Sequence, residues 1–171
     1  MALNVLKKVK KKAKNLSAFL VGLLVLAMIQ RSSATEIREN LKPVFRRAEL
    51  ANNLPAGLLE RVAQQESAFR SDIILGKKQS SAGAQGIMQI IPRWHPNVNP
   101  LNPIEAINYA GKFLRRLYDK FGRWDYALAA YNWGEGNLEK NLNMRFWNPV
   151  SHWPDETQRY VKQILNDVNV E

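Results

Sequence analysis

Leu58-Leu59-Glu60-Arg61-Val62-Ala63-Gln64-Gln65-Glu66-Ser67 reads as one helix with a carboxyl set into its apolar face. Leu59, Val62 and Glu66 fall at i, i+3 and i+7, so they share a side, and Glu66 stands where a leucine would be expected. Pro55, just upstream, suits the first position of a helix, where its fixed φ and missing N–H cost nothing. A carboxyl among apolar neighbours loses hydration in its charged form. Its pKa rises, and it can hold a proton near neutral pH for a leaving group. That is the working state of a general acid. On position alone, the favoured reading is that Glu66 merely closes the helix with a hydrogen bond or a surface ion pair; the motifs around it reverse that order.

Working outward, residues 70–85 are polar and glycine-containing with no sustained period, and read as loop. Gly86-Ile87-Met88-Gln89-Ile90-Ile91-Pro92 follows as a helical turn or two stopped by the proline. Asn102-Pro103 is a helix-opening pair, after which Ile104, Ile107, Gly111, Leu114, Leu117, Tyr118 and Phe121 recur at threes and fours up to Gly122. Residues 125–133 give a further short helix, ended by Gly134 and Gly136. Residues 155–168 give a last one, with Tyr160, Val161, Ile164 and Leu165 facing inward. Upstream of the acid, residues 35–53 read as helix interrupted or bent near Pro43. No stretch alternates as a strand, so the expected fold class is mainly α.

The chain has 171 residues, a formal charge of +10 and no cysteine. Disulfide and zinc-thiolate readings therefore fall away, and His95 and His152 are too few to suggest a metal site. The charge is uneven: six lysines precede the first acidic residue, leaving +4 for the rest. A mildly basic domain suits an anionic polymer or a lipid headgroup. Nothing resembles a groove-reading motif, so nucleic acid is not the expected partner. The basic start, the apolar run over residues 16–29 and the small residues Ser32-Ser33-Ala34 have the layout of a secretory signal peptide cleaved after Ala34. Arg31 fits that layout poorly and favours the alternative, an uncleaved anchor in the inner membrane with its lysines in the cytoplasm. Either way, residues 35–171 form one exported domain, in the periplasm.

Three short signatures occur in order: Glu66-Ser67-Ala68-Phe69, then Ser80-Ser81-Ala82-Gly83-Ala84-Gln85-Gly86-Ile87-Met88-Gln89, then Ala130-Tyr131-Asn132-Trp133-Gly134. Pro154-Asp155-Glu156-Thr157-Gln158-Arg159-Tyr160-Val161 follows as a fourth. Together they resemble the lytic transglycosylases, from about Leu54 to Ile164. The resemblance implies a lysozyme-like helical domain with a deep substrate groove, acting on peptidoglycan glycan strands without a cofactor. It implies one catalytic acid, Glu66, where ordinary glycosidases use two carboxylates. By the same match, Ser80 and Gln89 bond substrate or steady the glutamate, with Ser81 as the competitor of Ser80. Tyr131 and Asn132 serve the substrate's acetamido group and the acid, and Tyr160 leans toward Glu66 from the far wall.

Five tryptophans, Trp94, Trp124, Trp133, Trp147 and Trp153, are candidates for a sugar-lined groove, and Trp133 is the one expected to touch substrate. The spacing from Glu66 to Ser80 exceeds the family's usual one, which points to an inserted loop around residues 73–78. Asp72 is close in sequence to Glu66; facing the sugar, it would favour a lysozyme-type hydrolase. A catalytically silent wall-binding protein is the third reading. The small size suggests local wall opening for a secretion or conjugation machine or an infecting phage, with a virion association in the last case.

Overall fold

The computed structural model describes residues 20–30, 32–144 and 149–170. Among the described residues, helix α1 covers 20–29, followed by α2 (Ala34–Ala51), α3 (Leu58–Ser67), α4 (Ser71–Ile74), α5 (Pro103–Phe121), α6 (Trp124–Trp133) and α7 (Glu135–Asn143). A 3-10 turn, Pro149–His152, leads to α8 (Asp155–Leu165). Among the described residues there is no strand, only an isolated antiparallel bridge between Gln85 and Ile90. The chain is mainly helical, as expected.

Helix α6 lies at the centre. Ala127, Leu128, Ala129 and Ala130 are consecutive and all buried, so this helix is apolar around its circumference and packs against α5, α7 and α8. Helix α3 buries Leu58, Leu59, Val62 and Ala63 and packs against α2, α5 and α8. The α2 and α5 helices approach closely at Gly111, where an added Cβ would stand 3.0 Å from Asn52 Nδ2 and 3.3 Å from Leu59 Cδ1. The acid-bearing helix is thus enclosed by three others, and its C-terminal end is directed to one rigid place.

Several sequence expectations are corrected in detail. Helix α2 is continuous through Pro43 and not interrupted there. Pro55 is not the first helical residue: it sits in a turn whose carbonyl accepts from Leu58 N (3.2 Å), and Gly57, at φ 83°, is the N-cap. A left-handed residue cannot continue a helix, so Gly57 postpones the start to Leu58. The loop over residues 70–85 contains the single turn α4. Gly86 to Gln89 form a tight turn closed by the Gln85–Ile90 bridge, not a helix. Gly134 ends α6 as expected but also begins α7, which the sequence reading lacked and which contains Gly136.

The apolar leader falls partly outside the described residues, as do the lysines before it and Trp147. Within them, no helix is long and apolar enough to cross a membrane. Ile29 is fully buried, and Val25 and Met28 pack on the same core. Helix α2 opens at Ser33, whose hydroxyl accepts from Glu36 N (3.3 Å) while Glu36 accepts from Ser33 N (2.7 Å), a reciprocal cap.

Candidate active site

The last residues of α3 explain why Glu66-Ser67-Ala68-Phe69 is a unit. Ala68 and Phe69 both take left-handed conformations (φ 48° and 54°), unusual for residues with side chains and costly without compensation. Phe69 is buried against Phe45, edge to face at 6.0 Å. Ser67 accepts from Phe69 N (3.3 Å) and donates to the Ala63 carbonyl (3.0 Å). The chain therefore turns away directly after Glu66, leaving its carboxyl at the edge of a cavity.

That cavity, of about 510 Å³, is lined by Glu66, Ser80, Ser81, Gln89, Tyr131, Asn132 and Tyr160, with Glu156 among the remaining wall residues. Glu66 and the five signature residues expected to serve it or the substrate thus border one space, with Ser81 beside Ser80. Tyr160, on α8, donates to Glu66 Oε1 at 2.7 Å. Burial raises the Glu66 pKa to about 7; the Tyr160 hydrogen bond opposes this rise and the Glu156 charge adds to it. Burial, with the Glu66 charge behind it, pushes the Tyr160 and Tyr131 phenols well up, so both remain donors.

The other residues are held by the loops they belong to. Ser80 Oγ accepts from Ala84 N (3.0 Å) and closes the loop, with Ser81 on the same wall. Gln89, at φ 46°, donates from Nε2 to the Gly86 carbonyl (2.9 Å). Gly86 has no substitute, since a Cβ there would lie 1.8 Å from the Pro100 carbonyl oxygen. Tyr131 donates to the Met88 carbonyl (2.9 Å), tying α6 to this turn. Asn132 Oδ1 accepts from Thr157 Oγ1 (2.8 Å), which leaves its NH₂ as the group able to meet a ligand acceptor.

Asp72 does not line the cavity. It is paired with Arg70 (2.7 Å) and Lys78 (3.4 Å), and its carboxyl is held below the usual range chiefly by the Arg70 hydrogen bond. The carboxylate that shares the cavity with Glu66 is Glu156, in the exposed first turn of α8. It lies within the fourth signature, but nothing there distinguishes it from an ordinary first-turn glutamate. Trp133 and Trp94 line a second, larger cavity of about 870 Å³, whereas Trp153 is buried in the core, where its Nε1 donates to Asn141 (3.2 Å).

Three relatives match the chain at modest identity. The chain is 28% identical to the soluble lytic murein transglycosylase of Escherichia coli K12 over 144 residues, 71% of this chain and 21% of that protein. It is 30% identical to the transglycosylase of Enterobacteria phage PRD1 over 112 residues, 56% of this chain and 40% of the phage protein. With the peptidoglycan transglycosylase gp16 of Escherichia phage T7 it shares 31% over 135 residues, 72% of this chain and 10% of gp16. The chain therefore spans less than half the length of each. The model of the transglycosylase SLT domain matches residues 43–153, a stretch that contains Glu66 and every cavity residue before α8. By that match, the chain belongs to the transglycosylase SLT domain family.

Proposed function

We propose that the protein is a peptidoglycan lytic transglycosylase of lysozyme-like design, cutting the β-1,4 bond between N-acetylmuramic acid and N-acetylglucosamine. The observation that carries this reading is Glu66: a carboxyl with a pKa of about 7, bonded to Tyr160 at 2.7 Å, at the wall of a cavity formed by the family's signatures. Protonated, Glu66 gives its proton to the glycosidic oxygen as the bond to the muramyl C1 breaks. The substrate's own 2-acetamido oxygen stabilises the electron-poor C1, positioned by the free NH₂ of Asn132. Glu66, now ionised, takes the proton from the C6 hydroxyl, and O6 bonds to C1. The product is a 1,6-anhydro-muramyl end, and no water is consumed.

A hydrolytic reading has one observation in its favour, the presence of Glu156 in the same cavity as Glu66. A second carboxylate is what glycoside hydrolysis needs to assist a water or to attack the sugar. Mass spectrometry of muropeptides released from purified sacculi decides between the two. The expected products are lighter by one water than reducing-end species, and Glu66→Gln releases none while remaining folded. Reducing-end products would overturn the anhydro route in favour of Glu156-assisted hydrolysis.

The proposed location is the periplasmic face of the inner membrane, with the N-terminal segment retained as an anchor. Support comes from the cap that Ser33 places on α2 and from the burial of Ile29. Local wall opening is the proposed role, and the two phage proteins among the relatives support infection as its setting.

A further inference from the structure

Ile91 and Tyr131 line three cavities in succession: the one that holds Glu66, a neck of about 70 Å³, and the cavity of about 870 Å³. The last is too large for a single small group and falls within the range of cavities that enclose extended ligands. His95 and Tyr109 line both the neck and the large cavity, and neither belongs to the signatures described above. Phe113 connects them to the acid's cavity, with its ring 5.0 Å from His95 and 5.7 Å from Tyr131.

The imidazole is held in one orientation. His95 Nδ1 and the Tyr109 hydroxyl are 2.7 Å apart, and the ring packs edge-on against both Tyr109 and Phe113. Burial lowers the His95 pKa and the nearby Arg116 lowers it further, so the ring is neutral and carries one N–H. The Tyr109 phenol has its own proton to place, and His95 Nδ1 is its hydrogen-bond partner. A phenol is the stronger donor of the two, so Tyr109 donates to Nδ1 and the imidazole proton resides on Nε2. Nε2 has no protein partner among the described residues, and His95 lines the cavity.

An N-acetylated glycan offers mostly hydroxyls, which both give and accept, and weakly accepting ether oxygens; its strongest acceptor is the acetamido carbonyl. Trp133 and Phe113 on the same walls supply flat apolar faces for pyranose rings. We propose that His95, oriented by Tyr109, binds substrate by donating from Nε2 to the acetamido carbonyl of an N-acetylated sugar in the large cavity. This makes the protein selective for N-acetylated strands beyond the bond it cuts. The inference rests on the transglycosylase reading for its substrate class, and its test is separable from that reading.

The test measures binding of N,N′,N″-triacetylchitotriose and of cellotriose, which carries hydroxyls in place of acetamido groups, to the full chain with Glu66→Gln to prevent turnover. The parent prefers the acetylated trimer. His95→Phe cuts that preference about five- to tenfold, the effect of losing one net hydrogen bond. Tyr109→Phe, which keeps the cavity but frees the tautomer, gives a smaller cut in the same direction. A general packing defect would weaken both trimers together and leave their ratio intact. A ratio unchanged within twofold in His95→Phe overturns the proposal, as does a parent without preference. Should His95→Phe fail to fold, an unchanged ratio in Tyr109→Phe overturns it instead. Failure of the wild-type chain to release muropeptides would sink the transglycosylase reading and leave the trimer ratio to decide the role of His95.

Discussion

Glu66 is pulled in opposite directions by two neighbours on α8. The hydrogen bond from Tyr160 favours the ionised carboxylate, and the negative charge of Glu156 disfavours it; burial, the largest influence, acts with Glu156 against the Tyr160 bond and holds the pKa at about 7. The first chemical step needs the protonated form, so kcat/KM falls as pH rises through about 7. Tyr160→Phe removes a bond to the charged form, raises the pKa and moves this alkaline limb upward. Glu156→Gln removes the repulsion, lowers the pKa and moves the limb downward. Displacements on the order of half a pH unit or more are expected, measured as pH profiles of kcat/KM on sacculi. Limbs that move together, or a Glu156→Gln profile that stays in place, would show that these neighbours do not set the acid. The carboxyl on an apolar face made Glu66 legible in the sequence. Glu156 was not, because a glutamate in the first turn of a helix is favourable on dipole grounds alone and carries no mark of a shared cavity.

Helix α3 depends on a residue from another element at its N-terminus. Its cap, Gly57, has no side chain to offer, and the buried Glu49 of α2 takes that place by accepting from Gly57 N (3.0 Å) and Leu59 N (2.9 Å). A carboxylate there meets both the unpaired amides and the positive end of the helix. Glu49→Ala strands the two amides, at about 1–3 kcal/mol each. Glu49→Gln keeps an acceptor and should cost roughly 1 kcal/mol. Denaturant midpoints that fall in the order wild type, Glu49→Gln, Glu49→Ala would bear this out, and equal midpoints would refute it. The periodicities of α3 and α5 made those helices legible from their own residues. The cap was not legible, since it joins residues that only the packing of α2 on α3 brings together. Helix α7 was missed because Gly134 serves two helices at once, and because Leu138 and Leu142 alone give too little period to declare a face. The turn at residues 86–89 was misread because short apolar runs fit a helix and a tight turn equally well.

At the scale of the whole molecule, the border between leader and domain lies further upstream than the run of small residues suggests. Ser33 caps α2 in a reciprocal pair with Glu36, and Ile29 belongs to the core. An added Cβ on Gly22 would lie 3.5 Å from the amide of Asn102, so the leader also lies against the start of α5. Removal of everything up to Ala34 would take away the cap, worth about 1 kcal/mol, and the burial of Ile29, worth about 1.5–3 kcal/mol. Residues 20, 21, 23 and 24, by contrast, expose large apolar side chains. The cap, the burial of Ile29 and the approach to α5 support the proposed retention of the N-terminal segment. The expected outcome is therefore that intact-mass measurement of the chain, expressed in a Gram-negative host and recovered from membranes, gives all residues including the lysine-rich start. A soluble periplasmic species beginning at Thr35 would contradict it. Were that species as stable toward denaturant as the full chain, the contributions of Ser33 and Ile29 would be refuted along with the anchor.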